Sequence, residues 1–163
     1  MGKAVILVLH APTSPHVVVE FVKTSSILRD LRDIVVVITR PGGLAAQSGV
    51  PEAWRHAHKS GLPIAILPEL SDAIEIYRPS EIYIFSRSRD WIDFNGVEIG
   101  RDTMIVFPSG EQPLGKEGVE RARYVGFPEF SRDPGPIQNL TLVLYRYARK
   151  TREGGSSLSS ETR

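Results

Sequence analysis

The sequence predicts one α/β domain, with helices on both faces of a mostly parallel sheet. Its apolar runs are continuous rather than alternating, which is typical of strands that are covered on both faces. Segments with helical spacing of apolar residues separate these runs, and such alternation favours right-handed crossovers in a parallel sheet. A chain of 163 residues can bury one core, and we expect the domain to occupy residues 1–150.

The first half of the chain is predicted to contain four strands and three helices. The strands are the apolar runs at 4–10 and 33–40, a short run within LPIAILPEL, and one around 82–85. Ser14 can cap a helix that opens with Pro15 and ends near Arg29, because proline suits the first helical position. The second helix carries Ala45, Ala46, Trp54 and Ala57, and the third spans Ser71–Tyr77.

The second half is predicted to add a hairpin, two strands and two helices. Asn95-Gly96, between short apolar stretches, predicts a hairpin turn. The strands are at Thr103–Phe107 and about Tyr124–Gly126, and the helices are at Gly115–Arg123 and about Ile137–Lys150. Residues 151–163 contain one apolar residue in thirteen. We expect a disordered tail there, because burial cannot offset the ordering entropy of such a segment.

The composition excludes several kinds of site. The chain has no cysteine, so disulfides, thiolate metal sites and a thiol nucleophile are excluded. Its net charge is +1 and its basic residues are scattered, which permits nucleic-acid binding without requiring it. The first apolar run is too short for a signal peptide or a membrane span, so we expect a cytoplasmic protein with no membrane partner.

Glycine and proline are concentrated in the loops of the second half. In an open parallel sheet, ligands bind where loops leave the carboxyl ends of the strands. Neither GxGxxG nor GxxxxGK followed by Ser or Thr occurs in the sequence, so the Rossmann fingerprint and the phosphate loop are both missing. The segment PSGEQPLG and the region 126–136 instead favour a ligand such as adenosine, recognised by shape and main-chain hydrogen bonds.

Four segments resemble the motifs of one methyltransferase family. They are LHAPTSPHVVVEFVKTSSIL near the start, then IVFPSGEQPLGKEGVERA, YVGFPEF and GPIQNLTLVLYRYA in that order. Together they cover about Lys3–Lys150 and resemble the SPOUT superfamily, in its SpoU branch of RNA 2'-O-ribose methyltransferases. The chain is identified as a divergent, archaeal-type member, of a kind sometimes labelled RecB-family nuclease. The resemblance implies a deep C-terminal trefoil knot, S-adenosylmethionine as cofactor, tRNA or rRNA as substrate, and a homodimer.

The resemblance also implies roles for particular residues. Cofactor contacts are implied for residues in strand-end loops and at the start of the last helix, namely Phe85, Ser86, Pro108, Ser109, Gly110, Gly115, Phe127, Ile137 and Leu140. Catalytic roles are implied for Lys23, Glu111 and Asn139. Lys23 replaces an arginine of the first motif, and Ile137 stands where the third motif has serine. A protein that retains the cofactor and binds RNA without methylating it is therefore also consistent with the sequence.

Several of these residues also have simpler interpretations. Glu111 can be a charge favoured by the dipole of the following helix, and Asn139 can be a helix cap. Arg87 and Arg89 can contact phosphate or be solvated. His10 can serve as a base or lie at the surface.

A metal-dependent nuclease is the other enzyme class that we considered. Asp90, Asp93 and Glu98 could gather around Mg²⁺. However, no Asp or Glu in the chain is followed two residues later by Lys, as a RecB-like site requires. His56 and His58 are two residues apart, which places them on different faces of a helix and argues against a metal pair. We therefore expect no metal site.

Overall fold

The sheet was predicted to be mostly parallel, and in the described residues it is parallel throughout. The computed structural model describes residues 3–88, 90–110 and 120–158. Within these ranges seven strands form one sheet in the order β3-β2-β1-β6-β4-β7-β5, and every neighbouring pair is parallel. The strands are β1 (Val5–His10), β2 (Ile34–Thr39), β3 (Ile64–Leu67), β4 (Glu81–Phe85), β5 (Ile92–Asp93), β6 (Thr103–Pro108) and β7 (Arg123–Gly126).

Helices cover both faces of this sheet. They are α1 (Pro15–Ser25), α2 (Val50–Ser60), α3 (Leu70–Tyr77) and α4 (Pro136–Leu158), with a π-helical turn over Ala45–Gly49 before α2. Side chains from α1, α2 and α4 share one core cluster with Leu7 and Leu9 of β1. The other face of β1, with Ile6 and Val8, packs with α3. Neighbouring residues of β1 face opposite sides of the sheet, and all of them are buried. The strand is therefore apolar throughout because both of its faces are covered, as expected.

The helix α1 is four residues shorter than predicted. It ends at Ser25 rather than near Arg29. The Ser25 hydroxyl donates to the carbonyl of Phe21, and the Ser26 hydroxyl donates to the carbonyl of Lys23. Both hydroxyls bond to backbone carbonyls of the last turn. Such side-chain bonds compete with the backbone hydrogen bonds that would continue the helix.

The predicted hairpin at Asn95-Gly96 is wrong. Asp93 accepts hydrogen bonds from the backbone N–H of Asn95 (2.8 Å) and from its side-chain amide (2.9 Å). The aspartate thereby caps a 3-10 turn over Phe94–Gly96. The short strand β5 then pairs in parallel with β7, whereas a hairpin would require an antiparallel neighbour. A capping side chain two residues upstream therefore overrides the usual preference of Asn-Gly.

The last helix is longer than predicted. It continues to Leu158, so 151–158 prolong the helix instead of forming a tail, and 159–163 lie outside the described residues. The Thr151 hydroxyl donates to the carbonyl of Ala148 (2.9 Å), and Arg149 pairs with Glu153 one turn later (3.6 Å). Such local contacts support a solvated helix that buries few side chains. No helix in the described ranges is both long enough and apolar enough to cross a membrane.

The helix predicted at Gly115–Arg123 lies mainly outside the described residues. Residues 111–119 are not described. Residues 120 and 121 form a turn, and Arg123 begins β7. The end of that predicted helix was therefore placed too late.

Arg146 ties α4 to the segment that follows β5. Its guanidinium donates to the carbonyls of Phe94 (2.6 Å), Asn95 (3.2 Å) and Val97 (2.9 Å). It also lies 5.0 Å from the centre of the Phe94 ring. Partial burial lowers the pKa of Arg146, while the nearby carboxylate of Asp93 opposes this effect. One side chain therefore satisfies three carbonyls that would otherwise need other donors.

We expect Arg146→Met to lower the free energy of unfolding by about 3 kcal/mol, because hydrogen bonds to charged groups contribute about 1.5–3 kcal/mol each and are not fully additive. Methionine retains most of the apolar stem. The matched control is Arg149→Met on the same helix, which loses an exposed ion pair worth about 0–1 kcal/mol. Urea denaturation of both variants measures the difference. Equal losses would contradict a special role for Arg146.

Candidate functional site

Three of the predicted ligand loops meet at the carboxyl edge of the sheet. The strands β6, β4 and β7 are neighbours, so the loops that follow them emerge side by side. The backbone N–H of Ser109 donates to the carbonyl of His10 (3.0 Å), and that of Ser86 donates to the carbonyl of Val125 (3.2 Å). Ser86, Pro108–Gly110 and Phe127 thus lie at adjacent strand ends, and their contacts with a cofactor stay a prediction.

The phenylalanines at this edge form one aromatic cluster beneath the loops. The ring of Phe85 lies 5.1 Å from Phe94, 5.2 Å from Phe107 and 5.5 Å from Phe127, measured between ring centres. Phe85 is only 3% exposed and Phe127 only 5%. Their rings therefore belong to the core, and a bound ligand would meet mainly their backbone groups.

The two predicted ligand contacts in α4 have similar surroundings. Leu140 is fully buried. Ile137 is half-buried and packs against the same core. These two side chains are therefore part of the core that lies beneath the loops.

Arg87 bridges the loops after β4 and β7. Its guanidinium donates to the carbonyl of Phe127 and lies 4.9 Å from the centre of the Trp91 ring. A Cβ atom added at Gly126 would lie 3.1 Å from that ring, so glycine permits this close approach. The Nε atom of Arg87 is buried and has no hydrogen-bond partner in the described part of the chain. Arg87 is thus half-buried in the site rather than simply solvated, and Arg89 lies outside the described residues.

Asn139 is buried at the start of α4 and has one unpartnered atom. Its side-chain amide nitrogen donates to Asp133 Oδ1 (3.0 Å), which also accepts the backbone N–H of Gly135 (2.8 Å). The residue is 2% exposed, and no described residue donates a hydrogen bond to its Oδ1. A buried acceptor without a donor costs about 1–3 kcal/mol. The site therefore holds an acceptor in Asn139 and a donor in Arg87, both bonded to the loop that follows β7.

The predicted catalytic residues are not all brought together within one chain. Lys23 is exposed in the last turn of α1. It lies about 12 Å along the helix axis from Pro15, at a rise of 1.5 Å per residue. Since α1 starts at the carboxyl edge, Lys23 points toward the other edge of its own sheet. Glu111 and Gly115 lie outside the described residues.

His10 is buried beside this edge of the sheet, on the face covered by α3. Its Nδ1 lies 2.8 Å from the hydroxyl of Thr39, and the side chain is 5% exposed. Burial lowers the pKa of His10, and the positive charge of Arg40 lowers it further, partly opposed by Glu69. Arg40 and Glu69 themselves form an ion pair of 2.6 Å. The imidazole is therefore held neutral as part of the core.

We expect acidification to destabilise the protein through His10. Its folded pKa lies below the unfolded value of about 6.5, so only the unfolded chain gains a proton as the pH first falls through that value. The free energy of unfolding should therefore be unaffected by His10 above about pH 7 and should fall below about pH 6.5. Urea denaturation between pH 7.5 and 5 tests this, with His10→Gln as the comparison. A pH slope unchanged in the variant would contradict the assignment.

Two of the three acidic residues considered for a metal have other partners, and the third, Asp90, is exposed. Asp93 caps the 3-10 turn through Asn95, and Glu98 lies 4.0 Å from Lys150. Among the described residues, no group of three or more His, Cys, Asp or Glu side chains could hold a metal ion. His58 stacks on Trp54 instead of pairing with His56.

Comparison with known proteins gives a family and a fold. A sequence model of the family described as RecB-family nuclease (DUF2122) matches residues 43–146, more than half of the chain. A relative from Aeropyrum pernix, provisionally named type II restriction enzyme ApeKORF2002P, is 34% identical over 148 residues. That match covers 89% of this chain and 93% of the relative.

Two solved structures share the fold. The TrmH/SpoU tRNA modifying enzyme of A. aeolicus superposes with a TM-score of 0.71 at 18% identity, over 94% of this chain and 78% of that one. The SpoU methyltransferase AviRb from Streptomyces viridochromogenes, in complex with AdoMet, gives 0.69 at 14% identity. Here the match covers 93% of this chain but only 59% of the other. The predicted α/β fold, with a mostly parallel sheet and helices on both faces, is thereby confirmed.

Proposed function

We propose that this chain, which belongs to the family described as RecB-family nuclease (DUF2122), is an S-adenosylmethionine-dependent RNA methyltransferase. Its substrate would be a ribose 2'-hydroxyl of tRNA or rRNA. The proposal includes a homodimer and a C-terminal trefoil knot. The support is a SpoU-type fold whose carboxyl edge contains two unpartnered buried polar atoms.

Those two atoms suit a ligand that carries both donors and acceptors. Arg87 Nε can donate and Asn139 Oδ1 can accept. Both residues are bonded to the loop that follows β7. Since both atoms are shielded from solvent, a ligand would bond to them only after this loop shifts. An adenosine or amino-acid moiety has the required complementary groups, and the surrounding glycine-rich loops expose backbone N–H and C=O groups. The polar groups of this edge therefore match the kinds of donor and acceptor that S-adenosylmethionine carries, which supports the proposal.

The chain's own residues would bind and orient the reactants. S-adenosylmethionine, when bound, supplies a methyl group on a sulfonium. Pro108–Gly110, with Gly115 further along the same segment, would hold the cofactor through main-chain contacts. Glu111 would orient the substrate hydroxyl, and Asn139 would position the loop that it caps. Positioning of this kind contributes much of the rate in a direct transfer.

Lys23 would assist deprotonation of the ribose hydroxyl or hold the adjacent phosphate. Because Lys23 lies away from the loops of its own chain, we assign it to the site of a second copy. Lysine can do either task, since it carries a compact charge and can lose its proton when it is buried. Each site in the dimer would then combine loops of one chain with α1 of the other.

We expect Lys23→Ala to lower methyl transfer by at least about 100-fold, the lower range for general acid–base groups, with unchanged S-adenosylmethionine affinity. The measurement is transfer of a tritiated methyl group to bulk tRNA and rRNA, with titration calorimetry for the cofactor. The control is Lys3→Ala, which removes an ion pair with Asp102 (3.1 Å). Full transfer by Lys23→Ala would rule out its catalytic role.

A mixed dimer tests whether two chains build each site. Lys23→Ala and Gly110→Trp would each inactivate both sites of their own homodimers. A mixed dimer has one site in which both the loops and the lysine are intact, so a purified mixed dimer should have about half of the wild-type activity. Co-expressed chains that pair at random should have about a quarter, since about half of their dimers are mixed. No recovery would contradict the shared site.

The family description supports a second candidate, a metal-dependent nuclease. Incubation of the protein with supercoiled plasmid DNA and Mg²⁺ tests it. Cleavage without methyl transfer would favour the nuclease. Cofactor binding with neither transfer nor cleavage would favour a non-catalytic protein that binds cofactor or RNA.

A further inference from the structure

Trp54 and His58 form a stacked aromatic pair on the outer face of α2. Their ring centres are 5.4 Å apart and their planes differ by 3°. Trp54 is 51% exposed, and His58 is exposed as well. Tryptophan is highly buried on average, so this pair presents an unusual flat apolar surface to solvent.

The packing of α2 does not depend on this pair. Ala53 and Ala57 are fully buried on the inner face of the helix. Gly49, just before α2, is also buried, and a Cβ atom added there would lie 2.8 Å from the Cα of Pro15 in α1. The two helices are therefore in close backbone contact through small residues. The core is complete without Trp54 and His58.

Two cations flank the aromatic pair. Arg55 and Lys59 each follow one member of the pair by one residue, and both are exposed. Neither takes part in any ion pair found across the described ranges, whereas Arg40 and Arg123 are bound to carboxylates. The acidic residue of α2, Glu52, lies in its first turn. This arrangement leaves positive charge beside exposed rings.

Aromatic rings with adjacent cations match an unpaired stretch of polynucleotide. Bases of single strands stack on aromatic side chains, and the phosphates between them contact Lys and Arg. The α2 helix starts after the carboxyl end of β2, the edge that carries the candidate site. Trp54 lies about 6 Å along α2 from its first residue, given the helical rise. A strand bound at this surface could therefore extend toward the site.

We infer that the outer face of α2 binds an unpaired RNA segment, with a base stacked on Trp54–His58 and its phosphates on Arg55 and Lys59. The inference rests on the proposed function, from which RNA as the substrate comes. This surface binds the RNA at a distance from the ribose that receives the methyl group. Since stacking tolerates different bases, it adds affinity and positions the strand without reading its sequence.

Fluorescence anisotropy with a labelled U12 RNA tests this surface in the full-length protein. Trp54→Leu should weaken binding roughly tenfold, within the range for loss of one stacked base, while Trp54→Phe should bind nearly as well as the wild type. Arg55→Gln and Lys59→Gln should each reduce the salt dependence of binding by about 0.7 in log–log slope. Arg78→Gln, an exposed cation after α3, is the charge control and should leave the slope unchanged.

Calorimetry with S-adenosylmethionine separates failure of this surface from failure of the proposed function. Wild-type affinity for U12 in Trp54→Leu would overturn the surface alone if the cofactor still binds. Equal or tighter binding of the matching dU12 DNA would assign the face to DNA and overturn the RNA assignment. A changed oligomeric state in Trp54→Leu, with unchanged U12 affinity, would make the face a contact between copies. A wild type that binds neither U12 nor cofactor would overturn both proposals.

Discussion

Gly110→Trp should abolish detectable S-adenosylmethionine binding while leaving the fold intact. Gly110 is exposed directly after β6, and no described atom lies within 4 Å of a Cβ atom built on it. An indole can therefore be attached there without disturbing the core, but it would occupy the space in front of the loops. We expect at least a 100-fold loss of affinity, equivalent to about 2.7 kcal/mol.

The control for this variant is Gly110→Ala. No described atom lies within 4 Å of the added methyl group, so both affinity and stability should remain at the wild-type level. Titration calorimetry gives the affinities, and urea denaturation gives the stabilities. Unchanged affinity in the tryptophan variant would place the ligand elsewhere.

Phe85→Ala should lower the free energy of unfolding by about 4 kcal/mol, since replacing a buried phenylalanine by alanine costs about 3–5 kcal/mol. The ring contacts Phe94, Phe107 and Phe127 and is almost wholly buried. Phe85→Leu should cost much less, because most of the volume is retained. Thermal and urea denaturation measure both variants.

The matched control is Phe130→Ala, at the rim of the same cluster. Phe130 is 40% exposed and its ring centre lies 6.4 Å from that of Phe127, so we expect a loss below about 1 kcal/mol. A stable Phe85→Ala variant that no longer binds cofactor would reverse the interpretation. The ring would then be a wall of the site rather than part of the core.

The regular elements were predictable because burial on both faces leaves a simple pattern. The strands β1 and β2 are continuous runs of Val, Ile and Leu, and Pro15 marks the start of α1. The order of the strands in the sheet was not predictable, because it depends on pairings between residues far apart in sequence. Nothing local indicates that β5 pairs in parallel with β7, and the Asn-Gly signal predicted a hairpin where Asp93 caps a turn.

The candidate site was only partly predictable for the same reason. The resemblance placed Ser86, Ser109 and Phe127 in strand-end loops, and the sheet brings these loops together. The unpartnered atoms of Arg87 and Asn139 arise from burial and hydrogen-bond geometry, for which a sequence has no direct signal. Similarly, the sequence does not indicate that Trp54 is exposed. Its exposure follows from the packing of α2, in which Ala53 and Ala57 form the buried face.

The fold and the family description suggest different reactions. A nuclease of the RecB type needs clustered acidic ligands for a metal, and the described residues contain no such cluster. The carboxyl edge contains a buried donor and a buried acceptor that have no hydrogen-bond partners among the described residues. The proposed organic cofactor therefore rests on the fold and on these two atoms.

Titration calorimetry of the wild-type protein with S-adenosylmethionine and S-adenosylhomocysteine, with ATP as the control, tests this account most directly. We predict micromolar binding of the first two, about −8 kcal/mol, and none of ATP. Absence of binding by a folded protein would contradict the cofactor site, and the protein would then be a scaffold or a binding protein built on the same fold.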